Sequence, residues 1–159
     1  MARTVRTTLV LAAAILLGVA VAPAKDRGAQ GAIWHTDYRK AVSLSARLKR
    51  PLLLNFTGSD WCDRCLTLKE EVFDTPEFTA WAGKTVVLVE LDFPHGVRQE
   101  SRLRKQNAAL AKRFSGYLRD GYPTLLFLDP GAARTLGEVG YRDGGPGAWI
   151  DAAEKVLNR

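Results

Sequence analysis

Apolar and polar positions along the chain follow two periods, and the local period predicts each element. Between Trp34 and Arg50, the residues Tyr38, Ala41, Val42, Ser45 and Leu48 recur on one face at helical spacing. Thr36 is placed to cap that helix and Pro51 to stop it. Leu52-Leu53-Leu54-Asn55-Phe56 is a short apolar run closed by Gly58 and reads as a buried strand. Helical spacing returns through Cys62, Cys65, Leu66, Lys69, Val72 and Phe73, which predicts a helix over 61–73. It breaks at Asp74-Thr75-Pro76, where Thr75 can cap a new short helix with Pro76 at its first position. That helix carries Phe78 and Trp81 and ends at Gly83. Thr85–Leu91 (TVVLVEL) is β-branched and apolar, a second strand.

Further on, Gln99–Ser115 places Leu103, Asn107, Leu110, Ala111 and Phe114 on one helical stripe, stopped by Gly116. Thr124–Leu128 is a third strand, ended by the turn signal Asp129-Pro130-Gly131. Arg134–Gly140 is a weaker fourth strand, and Gly147–Leu157 a final amphipathic helix. Strand-helix-strand at the start implies parallel pairing with a right-handed crossover. The tight turn over 129–131 implies an antiparallel hairpin at the end. The fold class expected is α/β: a central mixed sheet of about four strands with helices on both faces.

The N-terminus has a different pattern. Arg3 and Arg6 are followed by Leu9–Ala22, an unbroken apolar run of 14 residues, and then by Ala22-Pro23-Ala24. A charged start, an apolar core and a small-residue site are the order of a signal peptide, here residues 1–24 with cleavage near Ala24. Ala20-Val21-Ala22 is a second site of the same kind. The alternative is an uncleaved membrane anchor, although a spanning helix needs roughly 20 apolar residues. Residues 25–32 read as a flexible lead-in and 33–159 as one domain. The protein is expected to be exported, to the periplasm or outside the cell.

Hydrophobic residues at 47% and charged residues at 25% place the chain among globular proteins and exclude a disordered one. The formal charge is +6, or +4 without Arg3 and Arg6. Part of the excess is local, in Arg98, Arg102, Arg104, Lys105, Lys112 and Arg113. A solvated helix face accounts for it; an acidic partner or an anionic membrane surface is the alternative. No aromatics interleave these charges, and nucleic acid is not expected as a partner. A monomer is expected.

Both cysteines fall in Thr57-Gly58-Ser59-Asp60-Trp61-Cys62-Asp63-Arg64-Cys65. A bridge between residues 62 and 65 closes so small a loop that chain entropy gains little, which argues for chemistry rather than a staple. Zinc needs two more ligands, and His35 and His95 are the only histidines, so no metal is assigned. Cys62 falls between a strand end and a helix start, where free N–H groups and the helix dipole favour an anion. Thiols in such C-x-x-C positions have pKa values lowered from about 8.5 to roughly 3.5–7.5. Cys62 is therefore the candidate nucleophile and Cys65 the resolving cysteine. Arg64 adds a positive charge between them and Asp63 opposes it.

The run Phe56-Thr57-Gly58-Ser59-Asp60-Trp61-Cys62-Asp63-Arg64-Cys65 resembles the F-T-G-S-x-W-C-x-x-C pattern of exported thioredoxin-like proteins, and Gly121-Tyr122-Pro123-Thr124 matches a second motif of that fold. The resemblance covers residues 33–158. It implies a three-layer α/β/α sandwich and a cis peptide before Pro123, beside the cysteine pair. It also implies that the Tyr122 backbone pairs with an extended substrate segment and that Pro123 keeps metals off the thiols. Trp61 is a candidate contact surface. Familiar thioredoxins carry Gly-Pro between the cysteines, where this chain has Asp63-Arg64. They also carry a buried acid on the preceding strand, a position taken here by Asn55, whose amide cannot accept a proton. Glu90 and Asp92 on the next strand are candidate substitutes.

The function expected is an exported thiol–disulfide oxidoreductase acting on protein thiols and disulfides. Its only redox group is the Cys62–Cys65 pair, with no cofactor. A reductase fed by a membrane electron donor is favoured by family analogy. The contrasting reading is a non-catalytic module with a permanently closed disulfide. His95 is a candidate for proton transfer against a plain loop role, and His35 reads as a surface residue. Trp34, Trp81 and Trp149 read as packing residues.

Overall fold

The computed structural model describes residues 32–159, so the expected signal peptide and nearly all of the lead-in lie outside it. The strands are β1 (Trp34–His35), β2 (Leu52–Thr57), β3 (Val87–Asp92), β4 (Thr124–Leu128) and β5 (Thr135–Val139). The helices are α1 (Tyr38–Leu48), α2 (Asp63–Leu68), α3 (Pro76–Thr85), α4 (Ser101–Arg113) and α5 (Gly145–Leu157); α2 runs on into a π turn, Lys69–Phe73. The sheet order is β1-β3-β2-β4-β5. β3 is parallel to both β1 and β2, while β4 is antiparallel to β2 and β5.

All six residues of β2 are buried, which is why the strand reads as a continuous apolar run rather than an alternating one. Leu53, Leu88, Leu125 and Phe127 pack under Leu68, Val72, Phe73, Phe78 and Trp149 of the α2–π, α3 and α5 segments. Leu52, Leu54, Phe56, Val89 and Leu126 pack on the other face against Ala41 of α1 and Leu110 of α4. The three-layer α/β/α sandwich expected from the sequence is therefore present.

Several boundaries differ from expectation, each for a local reason. Among the described residues the sheet has five strands, because Trp34 and His35 pair with Leu88 and Val89 instead of opening a helix. The Trp34 ring then packs 5.1 Å from Phe73, and α1 starts later, capped by Asp37 rather than Thr36. The Asp37 carboxylate accepts the Lys40 N–H at 3.1 Å. The helix after the motif is shorter than 61–73, since Cys62 is its cap and its last turn is π. That wider turn lets the adjacent Val72 and Phe73 both be buried. Thr75 caps α3 as expected, accepting the Phe78 N–H at 3.2 Å. α3 runs through Gly83 to Thr85, and β3 begins correspondingly later, at Val87.

Candidate active site

The site lies at the edge of the sheet where β2 and β3 end and β4 begins. After β2 the chain turns at Gly58, whose carbonyl accepts the Cys62 N–H at 3.0 Å. Cys62 caps α2: its sulfur accepts the Cys65 N–H at 3.3 Å. The two cysteines form a disulfide across a Cα–Cα distance of 5.2 Å. Both are buried, Cys62 to 6% exposure and Cys65 to 5%. Cys65 is thus no deeper than Cys62 in the bonded form, because capping draws Cys62 down onto the helix end. Asp63 and Arg64 are exposed and take no part in the ion pairs among the described residues.

An aromatic wall stands beside the pair. Trp61 is 41% exposed, stacks on His95 with ring centroids 4.6 Å apart, and lies 5.8 Å from the Tyr122 ring. Its indole N–H donates to the Phe93 carbonyl at 2.8 Å. Phe93 in turn stacks on Tyr122 at 5.4 Å. The Tyr122–Pro123 peptide is cis, as the resemblance implies. Thr124 pairs with Phe56, which brings Pro123 to the same edge as the end of β2. Burial holds the Tyr122 phenol above its ordinary value, so its hydroxyl stays neutral.

Two carboxylates fasten the motif loop to the segment after β3. Asp60 accepts the backbone N–H groups of His95, Gly96 and Val97 at 2.9, 2.6 and 3.2 Å. Those hydrogen bonds, His95 first, hold its carboxyl below the usual range. Asp92 accepts both the backbone N–H and the hydroxyl of Ser59, at 2.9 and 2.7 Å. Asp92 is therefore engaged with the motif loop.

Asn55 on β2 is buried and its side-chain oxygen has no hydrogen-bond partner. Its register partner on β3 is Glu90. Burial, reinforced by the charge of Asp92, raises the Glu90 carboxyl above the ordinary value, and Lys69 offsets this in part. Among the described residues no group of three or more His, Cys, Asp or Glu side chains is arranged to hold a metal ion.

A family model described as thioredoxin-like matches residues 33–130, spanning the motif, the aromatic wall and the cis-proline. The chain belongs to the thioredoxin-like family. The disulfide bond reductase DsbH of Chlamydia pneumoniae is 32% identical over 121 residues, 76% of this chain and 70% of that protein. A solved structure titled DsbH oxidoreductase superposes with a TM-score of 0.75 at 28% identity, covering 89% of this chain and 94% of that one. The thioredoxin-related protein DsbJ, also of Chlamydia pneumoniae, is 35% identical over 91 residues. That match takes in 57% of this chain but only 26% of DsbJ. With its Cys62–Cys65 pair, this thioredoxin-like protein is a thiol–disulfide oxidoreductase.

The thioredoxin-like fold gathers Trp61, Cys62, Cys65, Tyr122 and Pro123 at one edge and sets Asn55 and Glu90 side by side in the strands that lead to it. Gly58, Asp60, Asp92 and His95 were not legible as a unit. Asp60 and its partners are 35 to 37 positions apart, and nothing local marks the pairing. His95 is exposed and serves as a stacking partner for Trp61. His35, expected at the surface, is half-buried in the edge strand. The basic residues of α4 are exposed, but two are engaged: Arg102 meets Asp37 at 3.0 Å, and Arg113 lies over the Phe114 ring at 4.9 Å. Among the described residues no helix is long and apolar enough to cross a membrane.

Proposed function

We propose that this protein is exported and reduces disulfides in protein substrates, with Cys62 as nucleophile and Cys65 as resolving thiol. The observation that carries the reading is the cap: the Cys62 sulfur accepts the Cys65 N–H at the helix start. A thiolate there gains a hydrogen bond and a favourable dipole. Cys62 attacks one sulfur of the substrate disulfide and releases the other as a thiol. Cys65 then attacks Cys62, re-forming the Cys62–Cys65 disulfide and releasing the second substrate thiol. Trp61 offers the substrate an exposed aromatic face, and the backbone at Tyr122 and Pro123 pairs with an extended segment. Asp63, Arg64, Asn55 and Glu90 tune the pair.

The name of the relative, a disulfide bond reductase, supports the reductase direction. The pattern of residues 1–24 supports export, and a membrane protein is the electron donor proposed to return the pair to the dithiol. No further cofactor is needed, and the working unit is a monomer. In an insulin-disulfide assay, wild type is active and Cys62→Ser inactive; equal rates refute the nucleophile. Cys65→Ser traps substrates as mixed disulfides and so names them. The pair's potential tests direction, with a value near about −270 mV expected for a reductase and one near about −120 mV overturning it.

A further inference from the structure

An acceptor without a donor lies on the sheet face that α2 and the π turn cover. Asn55 is 5% exposed, and its Oδ1 meets no hydrogen-bond donor. Leaving a buried polar atom unpaired is unfavourable, so a donor that arrives during the reaction is firmly held. Across the sheet, Asn55 is in register with Leu125 on β4 and Glu90 on β3. The Leu125 side chain has no polar atom to offer. Glu90 follows Leu88, and Asn55 follows Leu53, two residues along their strands; both leucines belong to the core under α2 and the π turn. Strand alternation therefore turns Asn55 and Glu90 to that same face. In-register neighbours on adjacent strands are about 4.8 Å apart, within side-chain reach. An ionised Glu90 is acceptor-only and leaves Asn55 Oδ1 unmet, whereas a protonated Glu90 has one O–H to donate.

The charged groups around Glu90 are few. Asp92 lies two residues on along β3, and Lys69 of the π turn is exposed with its ammonium paired to Asp74. On the other side β1 ends at His35, in register with Val89. Cys65 is buried on α2, the helix whose Leu68 belongs to the core shared with Leu53 and Leu88.

We propose that Glu90 accepts the proton of Cys65 when Cys65 resolves the mixed disulfide, and that Asn55 Oδ1 then holds the Glu90 O–H. The inference rests on the exchange chemistry proposed above. In this step the Cys65 S–H bond breaks and its proton passes to the Glu90 carboxylate, directly or through one water. The electron pair left on Cys65 forms the bond to Cys62 while the Cys62–substrate bond breaks. The substrate sulfur leaves as a thiolate with the electron pair of the broken Cys62–substrate bond and is protonated by solvent. The cysteine pair is oxidised and the substrate reduced. Burial and the neighbouring Asp92 make Glu90 a stronger base than an ordinary carboxylate, which suits this role near neutral pH. The acid usual on the strand before the motif has in effect moved one strand over, leaving an amide to stabilise its protonated form.

The test is a single-turnover measurement. A chromogenic aryl thiol is attached to Cys62 as a mixed disulfide, and its release by Cys65 is followed against pH. In wild type the rate falls as pH drops through the Glu90 titration. In Glu90→Gln the adduct still forms, release is about 100-fold slower near neutral pH, and the acid limb is lost. Adding Asn55→Asp to Glu90→Gln puts an acid back on β2 and restores at least about tenfold of the rate. Wild-type release with an unchanged profile in Glu90→Gln overturns the proposal. Slow release without rescue by Asn55→Asp also overturns it, by reducing Glu90 to a structural role. Failure of wild-type Cys62 to form the adduct at all counts instead against the exchange reading itself.

Discussion

Gly58 has no room for a side chain: a methyl group there would overlap the Trp61 indole. The glycine that ends β2 is thus also the floor on which the contact residue rests. Gly58→Ala is expected to dislodge the indole from His95 and Phe93, change its fluorescence, and slow substrate reduction more than it slows Cys62 alkylation. Equal effects on both would place the fault at the cysteine instead. Glu90 has a separate signature in stability. Its folded pKa is raised above the ordinary value of 4.5, so the folded state favours the neutral carboxyl. Its stabilising contribution is present below that ordinary value and is lost as pH rises through the raised one. Glu90→Gln mimics the neutral form, so its thermal midpoint should exceed that of wild type at neutral pH. The difference should vanish in acid, and a constant offset across pH would contradict the raised value.

At the scale of elements, helix starts carry much of the specification. Thr75 accepts the Phe78 N–H at 3.2 Å and donates its hydroxyl to the Val72 carbonyl at 2.6 Å, so one side chain closes the π turn and opens α3. Thr75→Ala should cost about 1–2 kcal/mol, read from the urea midpoint at unchanged slope. This cap was legible because Ser, Thr, Asp or Asn followed by proline is a local signal. The cap of α1 was misplaced by one residue, from Asp37 to Thr36, since both are capping types and only geometry chooses between them. The strand at Trp34–His35 was missed for another reason. Two residues carry no period, and their pairing with Leu88 and Val89 is set by chain segments more than 50 positions away.

At the scale of the whole molecule, one aromatic cluster ties the last helix to the layer that carries the cysteines. Trp149 is fully buried, with ring centroids 5.8 Å from Phe73, 5.6 Å from Phe78 and 6.0 Å from Trp81. Its indole N–H reaches the Gly140 carbonyl at 3.2 Å. Trp149→Ala should cost about 3–5 kcal/mol by denaturant unfolding, a large share of a typical 5–15 kcal/mol. The change lies away from the cysteine edge, so the fraction still folded should keep wild-type Cys62 alkylation kinetics. A loss below about 1 kcal/mol would mean the cluster packs more loosely than its distances imply.

By itself the sequence determined the layer architecture, the cysteine pair with its flanking tryptophan, and the proline beside it. Each is written in local period, in spacing or in a contiguous motif, and local signals survive without the fold. Only tertiary structure decided which carboxylate does what. Asp60 and Asp92 are taken up by backbone N–H groups and a serine hydroxyl, while Glu90 is in register with Asn55, whose side-chain oxygen is unpaired. Strand register and burial set those differences, and both arise from contacts between segments far apart in the chain. Three acids that look interchangeable in one dimension differ because desolvation and hydrogen bonding act on them only after the strands have paired.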